Sequence, residues 1–370
     1  MKWANSVGQL LASDINSWID NQKNNSEEIK KLKKSVFQTL LNRETCISGC
    51  HDMDEVSLAD FGSYSELPGG NVIVSQGYVK ILYCLLDEIN AKLAHKNKKD
   101  ANGRFEKQFV ILKDHRICKI KWAGVNQGVK RSTTDQYDVE VFCENGLSFK
   151  GHHLVVTIPL GVLKKEAKNL FEPKLPQYKL DCIDSLGFDA VDKIFLEYSQ
   201  PLSLYIKNDF NELLCIWDDD NEGTVEDNWF KKIYSISKIT NHCLLAWVSG
   251  KQAAQLEKLT NEQVNHQLTK VLRKFLLNEE FPEADHVLVT KWGSNPLSRG
   301  SYTYIHKNSS NKDIELLAQP IYADPANDKV KLIHLLISII LMFIYFQSLS
   351  LHLPVKQLTH RFIQQFMEHF

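Results

Sequence analysis

Lys291-Trp292-Gly293-Ser294-Asn295-Pro296-Leu297-Ser298-Arg299-Gly300-Ser301-Tyr302-Thr303-Tyr304 is the stretch on which the reading of this chain turns. One Trp and two Tyr share fourteen residues with two Gly, a Pro and an Arg. A core strand tolerates few turn residues, and a surface loop rarely carries this much aromatic area. The mixture suits one wall of a flat pocket, where Gly allows close backbone approach and aromatic faces line the cavity. An aromatic-rich hairpin turn accounts for the composition equally well.

Around that run lie 370 residues, enough for two domains with real cores or one large α/β domain. Hydrophobic residues at 43% and charged residues at 24% are ordinary globular values. A formal net charge of -1 carries no nucleic-acid signature and no long-range field for a cationic ligand, which would need local carboxylates instead. The eight Cys (46, 50, 84, 118, 143, 182, 215 and 243) follow no repeating spacing, and no Cys/His set lies beside Cys46 and Cys50. Buried free thiols of a reducing compartment fit better than a zinc site or a disulfide framework. The first twenty residues lack the apolar core of a signal peptide, so a cytoplasmic location is the default.

Outward from the run, local patterns assign elements. Leu10, Leu11, Ile15, Trp18 and Ile19 share one side of a helix, and Ile29 to Leu41 fit a second. Leu67-Pro68-Gly69-Gly70 makes a turn, Val72–Val74 a short strand, and Gly77-Tyr78 opens a helix with Val79, Leu82, Leu86, Ile89 and Leu93 on its apolar face. Strand patterns cover Phe109–Leu112, Ile117–Trp122, Tyr137–Cys143 and Leu147–Thr157, and the short turns between them predict an antiparallel meander. Further strands are expected at 193–198, 213–217, 233–238 and 243–248, and a helix at 261–277.

The opening run also resembles the signature K-W-G-S-N-P-x-x-R-G-S-Y-x-Y of the FAD-dependent amine oxidases, in the branch of spermine oxidase and N1-acetylpolyamine oxidase. Other strings along the chain agree with it. Leu186-Gly187-Phe188-Asp189-Ala190-Val191-Asp192-Lys193-Ile194-Phe195-Leu196-Glu197-Tyr198 resembles L-G-x-G-x-x-[DN]-K-I-F-L-E-F, whose Lys holds a water against flavin N5. The resemblance makes Lys193 the catalytic candidate, and a Lys in an apolar strand has reason to titrate near neutrality. A Lys at an exposed strand edge beside Asp192 is the plainer alternative. The family's following P-F-W is Pro201-Leu202-Ser203 here, so one expected aromatic is missing.

Gly151-His152-His153-Leu154-Val155-Val156-Thr157-Ile158-Pro159-Leu160-Gly161-Val162-Leu163 resembles A-D-H-V-I-V-T-V-x-L-G-V-L, which implies that Thr157 approaches the flavin dinucleotide. Ile117 begins a string placed where the family's chain contacts the adenine. Phe61-Gly62-Ser63-Tyr64-Ser65-Glu66 stands at the family's F-G-x-W-x-E, so Glu66 is either a recogniser of a substrate ammonium or a solvated loop carboxylate. Trp292 and Tyr302 would stand by the flavin ring and Tyr304 by the substrate. Trp247-Val248-Ser249-Gly250 resembles a packing element of the family.

The resemblance implies an α/β, two-domain flavin amine oxidase fold with a mixed-sheet substrate domain over 1–66 and 171–286. A partial FAD-binding domain takes 67–170 and 287–325. It also implies oxidation of a small-molecule polyamine by O2 to an aldehyde, a shorter amine and H2O2. Two parts of the pattern are missing. No G-x-G-x-x-G occurs, so the Rossmann βαβ unit that holds the pyrophosphate is absent. The closing F-A-G-E-A-T-H string is replaced by 326–370. There 332–346 is an apolar run of fifteen residues, short of the roughly 20 of a membrane span. Read one frame over, synonymous codons for His352–Phe370 can encode the missing string, so an out-of-frame tail is expected. Without both parts the chain is expected not to retain FAD and to be inactive alone. A non-catalytic interaction protein on the same scaffold is the alternative reading.

Overall fold

A computed structural model describes residues 4–23, 26–63, 77, 79–96, 109–122, 138–206, 210–217, 224–322 and 331–335. Helix α1 (Val7–Asp20) starts at Ser6, whose hydroxyl accepts the Gln9 amide, and buries Val7, Leu11, Ile15 and Ile19 along one stripe. Helix α2 (Glu27–Ser48) is capped by Ser26 and stops at Gly49, which takes the left-handed conformation at φ 72°. These helices close a small core with Phe37, Met53 and Val56, and Tyr304 packs against it. Helix α3 (Val79–Lys96) keeps Ile81, Leu82, Tyr83 and Leu85 exposed.

Strands β1 (Ile117–Trp122), β2 (Val139–Cys143) and β3 (Ser148–Gly151) form the expected antiparallel meander. The run 147–157 is not one strand. The chain bends at His152, and β4 (Leu154–Val156) leaves for another sheet. Residues 109–112 are not a strand either; their four apolar side chains are exposed and pair with nothing as a ladder. Val72–Val74 lie outside the described residues. Helix α4 (Leu160–Leu170), β5 (Phe171–Glu172) and α5 (Gln177–Ser185) follow, with β5 parallel to β1. A second core joins Ile120, Val156, Leu160, Leu163, Phe171 and Leu186.

From Gly187 onward the chain builds a five-stranded sheet. Its elements are β6 (Gly187–Asp189), β7 (Val191–Glu197), β8 (Glu212–Leu214), α6 (Val225–Asn228), β9 (Ser235–Thr240), β10 (Cys243–Ser249), α7 (Gly250–Leu256), α8 (Asn261–Leu276) and β11 (His286–Val289). The sheet order β11-β7-β10-β9-β8 leaves β7 in the interior, and β6 pairs instead with β12 (Tyr302–Tyr304). Helix α8 covers the sheet with Val264, Leu268 and Leu272, none with accessible surface. Burial of one such side chain stabilises by about 1.5–3 kcal/mol. Its start is a capping box between Thr260 and Gln263, a pattern legible in the sequence.

Helix α9 (Asn311–Ala318) packs on α5, and its last carbonyls meet the buried Lys179 ammonium. Strands β13 (Ile321–Tyr322) and β14 (Lys331–Leu335) complete a three-stranded sheet in which β14 runs parallel to β4. The apolar run 332–346 therefore enters as a strand through Leu335; the remainder, with the tail, lies outside the described residues. Among the described residues no helix is long and apolar enough to cross a membrane.

Candidate active site

The run 291–304 and the string 187–193 are separated by about a hundred residues and knitted into one wall. The Ser301 amide donates to the Asp189 carbonyl at 2.8 Å, and the Ser301 hydroxyl bridges the Val191 amide and carbonyl, each at 3.0 Å. Tyr302, Thr303 and Tyr304 pair with Asp189, Phe188 and Gly187. At the other end of the run the Lys193 amide donates to the Thr290 hydroxyl at 3.0 Å. Gly300 is required twice over: its φ is 140°, and a Cβ there would strike the Phe188 ring. The run is a folded wall joined to β7, not a hairpin between two strands of its own.

Lys193 sits mid-strand on β7, half-buried, with Trp247 opposite it on β10. The ammonium lies 4.5 Å from the Trp247 ring centroid, within cation–π range. Burial pulls the Lys193 pKa down from 10.5 to about 8. Its place on an interior strand explains that direction, since desolvation disfavours the charged form. The plainer alternative, a lysine on an exposed edge strand, does not hold, because β7 is hydrogen-bonded on both sides.

Trp292, Tyr302 and Tyr304 are all half-buried. The Tyr304 hydroxyl donates to Glu55 at 2.7 Å, and burial with that carboxylate raises its pKa. Burial also pushes Asp189 up to about 6, while the Lys232 ammonium, pulled down by its own burial, donates to the His51 carbonyl at 2.9 Å. Glu55, Asp189, Tyr304 and Lys232 thus form one electrostatic neighbourhood. Gly49 ends α2 against Tyr302, and a Cβ there would overlap the tyrosine side chain.

Thr157 is exposed just past the carboxyl end of β4, the end at which ligands meet parallel strands. Four residues later Gly161 packs against the Ser298 and Arg299 carbonyls, and Arg299 reaches Glu166 on α4 at 3.2 Å. Ile117 opens β1 in a different sheet and packs, partly buried, against the second core. Glu66 lies outside the described residues.

Sequence reasoning passed over three residues at this wall. Trp247 read as packing, yet it faces Lys193; only strand register reveals that. Asp192 read as company for the lysine, whereas it is buried and accepts the Trp292 amide at 2.9 Å. Glu257, which the sequence reading did not single out, accepts the next two amides, Gly293 and Ser294, both at 2.6 Å. A Gly-Ser pair that must have its amides satisfied was the available signal.

The sequence profile of the flavin containing amine oxidoreductases matches residues 105–330. The peroxisomal N(1)-acetyl-spermine/spermidine oxidase of Bos taurus is 33% identical over 332 residues, covering 86% of this chain and 60% of the relative. Its counterpart in Homo sapiens is 32% identical over 337 residues, covering 89% and 62%. The chain therefore spans about 60% of the length of the curated relatives it matches. Among solved structures, cyclohexylamine oxidase from Brevibacterium oxydans IH-35A superposes with a TM-score of 0.52 at 16% identity, over 90% of this chain and 65% of that one. That likeness shows the fold. This chain belongs to the family of flavin containing amine oxidoreductases.

Proposed function

We propose that this chain carries the substrate-side wall of an FAD-dependent polyamine oxidase acting on spermine or N1-acetylated polyamines. The single observation that carries the reading is Lys193, titrating near neutrality over Trp247 and joined through its strand to the Trp292–Tyr304 wall. The described residues fit the flavin ring: two half-buried aromatics and a weakly basic ammonium offer a flat, poorly hydrated face. They offer no Gly-rich cradle for the diphosphate.

FAD, when bound, supplies the hydride acceptor for amine oxidation. The protein's own part is simpler. Lys193 Nζ, its pKa lowered by burial to about 8, would hold or release a proton or a water beside a bound flavin. Trp292 and Tyr302 confine the reacting carbon and exclude water. Glu55 and Asp189, close to Tyr304, favour the distal ammonium of a polyamine, in a role first considered for Glu66. The names of the two mammalian relatives support the substrate class.

Diphosphate contacts at about 1.5–3 kcal/mol each have no donor set among the described residues. We expect the 370-residue chain to purify without stoichiometric flavin. The test is a flavin spectrum of the purified chain, then H2O2 release from spermine and N1-acetylspermine with FAD in excess. Bound flavin at one per chain refutes the retention claim alone. A folded chain that binds the added FAD and still releases no H2O2 from either amine refutes the oxidase reading. That result would favour a non-catalytic interaction protein, for which the exposed Ile81, Leu82, Tyr83 and Leu85 of α3 offer the apolar surface.

A further inference from the structure

Behind the aromatic wall two carboxyl groups meet. Asp192 precedes Lys193 on β7, so strand alternation turns it to the face opposite the lysine, and it has no accessible surface. Its Oδ1 accepts the Thr290 hydroxyl at 2.8 Å and the Trp292 amide at 2.9 Å. Among the described residues its Oδ2 has no donor. Glu257, just beyond α7, holds the amides next to the one Asp192 holds, which brings its carboxyl into the electrostatic reach of Asp192. Glu257 is itself committed as an acceptor, with Oε1 on the Gly293 amide and Oε2 on the Ser294 amide. Together the two carboxyls hold three consecutive amides, Trp292 to Ser294.

Two neighbouring carboxylates repel, and Asp192, fully buried, lacks water to spread its charge. One proton between them reverses the sign of the interaction and gives the orphaned oxygen its partner. We propose that Asp192 and Glu257 share a proton and act as a positioning clamp, holding the Trp292 segment to β7 while the proton is present and loosening it when the proton leaves. Burial first, and then Glu257, push the Asp192 pKa up to about 7, which agrees with the geometry. Among the described residues, the other groups bonded to or paired with Asp192 are uncharged: the Thr290 hydroxyl and the Trp292 amide from the β11 end, and Val248 opposite it on β10. The Lys193 ammonium lies over Trp247. The clamp stands without flavin; only its bearing on catalysis rests on the oxidase reading.

The test labels the full chain with 5-fluorotryptophan and follows the fluorine resonance of Trp292, assigned by Trp292→Phe, without FAD or amine. In the wild type the resonance should shift with a midpoint near pH 7, and the clamped fraction should fall by up to about tenfold per pH unit above it. Asp192→Asn keeps an acceptor for the Trp292 amide and gives Glu257 a permanent donor, so its resonance should stay at the acid position from about pH 5.5 to 8.5. Asp192→Ala should abolish the acid position at every pH. A wild-type resonance that does not move across this range overturns the proposal, whatever the variants do. So does an Asp192→Asn resonance that titrates like the wild type. Neither result depends on whether the chain oxidises an amine.

Discussion

Lys179 has no accessible surface, and its ammonium donates to the carbonyls of Leu316, Leu317 and Gln319 at 2.5, 2.8 and 2.5 Å. It closes the C-terminal end of α9, where backbone acceptors have no intrahelical partner. Lys179→Met keeps the stem and removes the donors. Three charge-assisted bonds at about 1.5–3 kcal/mol each are lost. Against that, Met avoids the burial penalty that pulls the lysine from 10.5 to about 8, a difference equivalent to at most about 3.4 kcal/mol. The lost bonds win, and a net destabilisation of about 3 kcal/mol is expected at pH 7.

The pH dependence gives a second readout of the same substitution. The native pKa lies below the unfolded one, so the unfolded chain binds the extra proton between about 8 and 10.5, and wild-type stability should climb through that window as pH rises. Lys179→Met should lack the climb. Urea unfolding at fixed pH, read as a midpoint shift at constant slope, measures both effects. Lys168→Met is the control, since that lysine is 65% exposed beside Asp184 and should change stability by under about 0.5 kcal/mol. A Lys179→Met midpoint within the control's error, or above the wild type, refutes the reasoning.

With FAD supplied and bound, Lys193→Met should abolish amine-dependent H2O2 release, and any wild-type turnover should rise with pH through about 8 as the lysine amine loses its proton; a flat profile would dismiss the proton role. Gly49→Ala should cost more than about 2 kcal/mol, because the left-handed backbone and the Tyr302 side chain both resist a methyl, and thermal melting would show it. Tyr304→Phe should destabilise by about 1–3 kcal/mol through the unpartnered Glu55 carboxylate, and Glu55→Gln together with Tyr304→Phe should cost less than the two singles added. Additive costs in that cycle would separate the pair.

What could be read ahead of the structure was whatever depends on near neighbours in sequence. The stripe Val264, Leu268, Val271, Leu272 and the Thr260 box announce α8 because helix periodicity and capping are local. The meander β1–β3 is legible for the same reason. The run 147–157 misleads because both halves favour strand, and nothing local tells that Leu154–Val156 pairs with residues 333–335. At the wall, Lys193, Trp292 and Tyr302 carry recognisable strings. Trp247 becomes their neighbour only through the β7–β10 register, and Glu257 only through a bond to amides 36 and 37 positions away.

The bonds that tie residues 290–304 to 187–193 have a mechanical meaning. One hydrogen-bonded ladder, the Thr290–Lys193 bonds and a bridging serine make the lysine strand and the aromatic run a single stiff plate, in which neither can shift without shearing the other. Movement against the plate must then come from what packs on it, such as the end of α2, where Gly49 meets Tyr302. Altered substrate size should accordingly be sought in changes around the end of α2, with the plate left as it is.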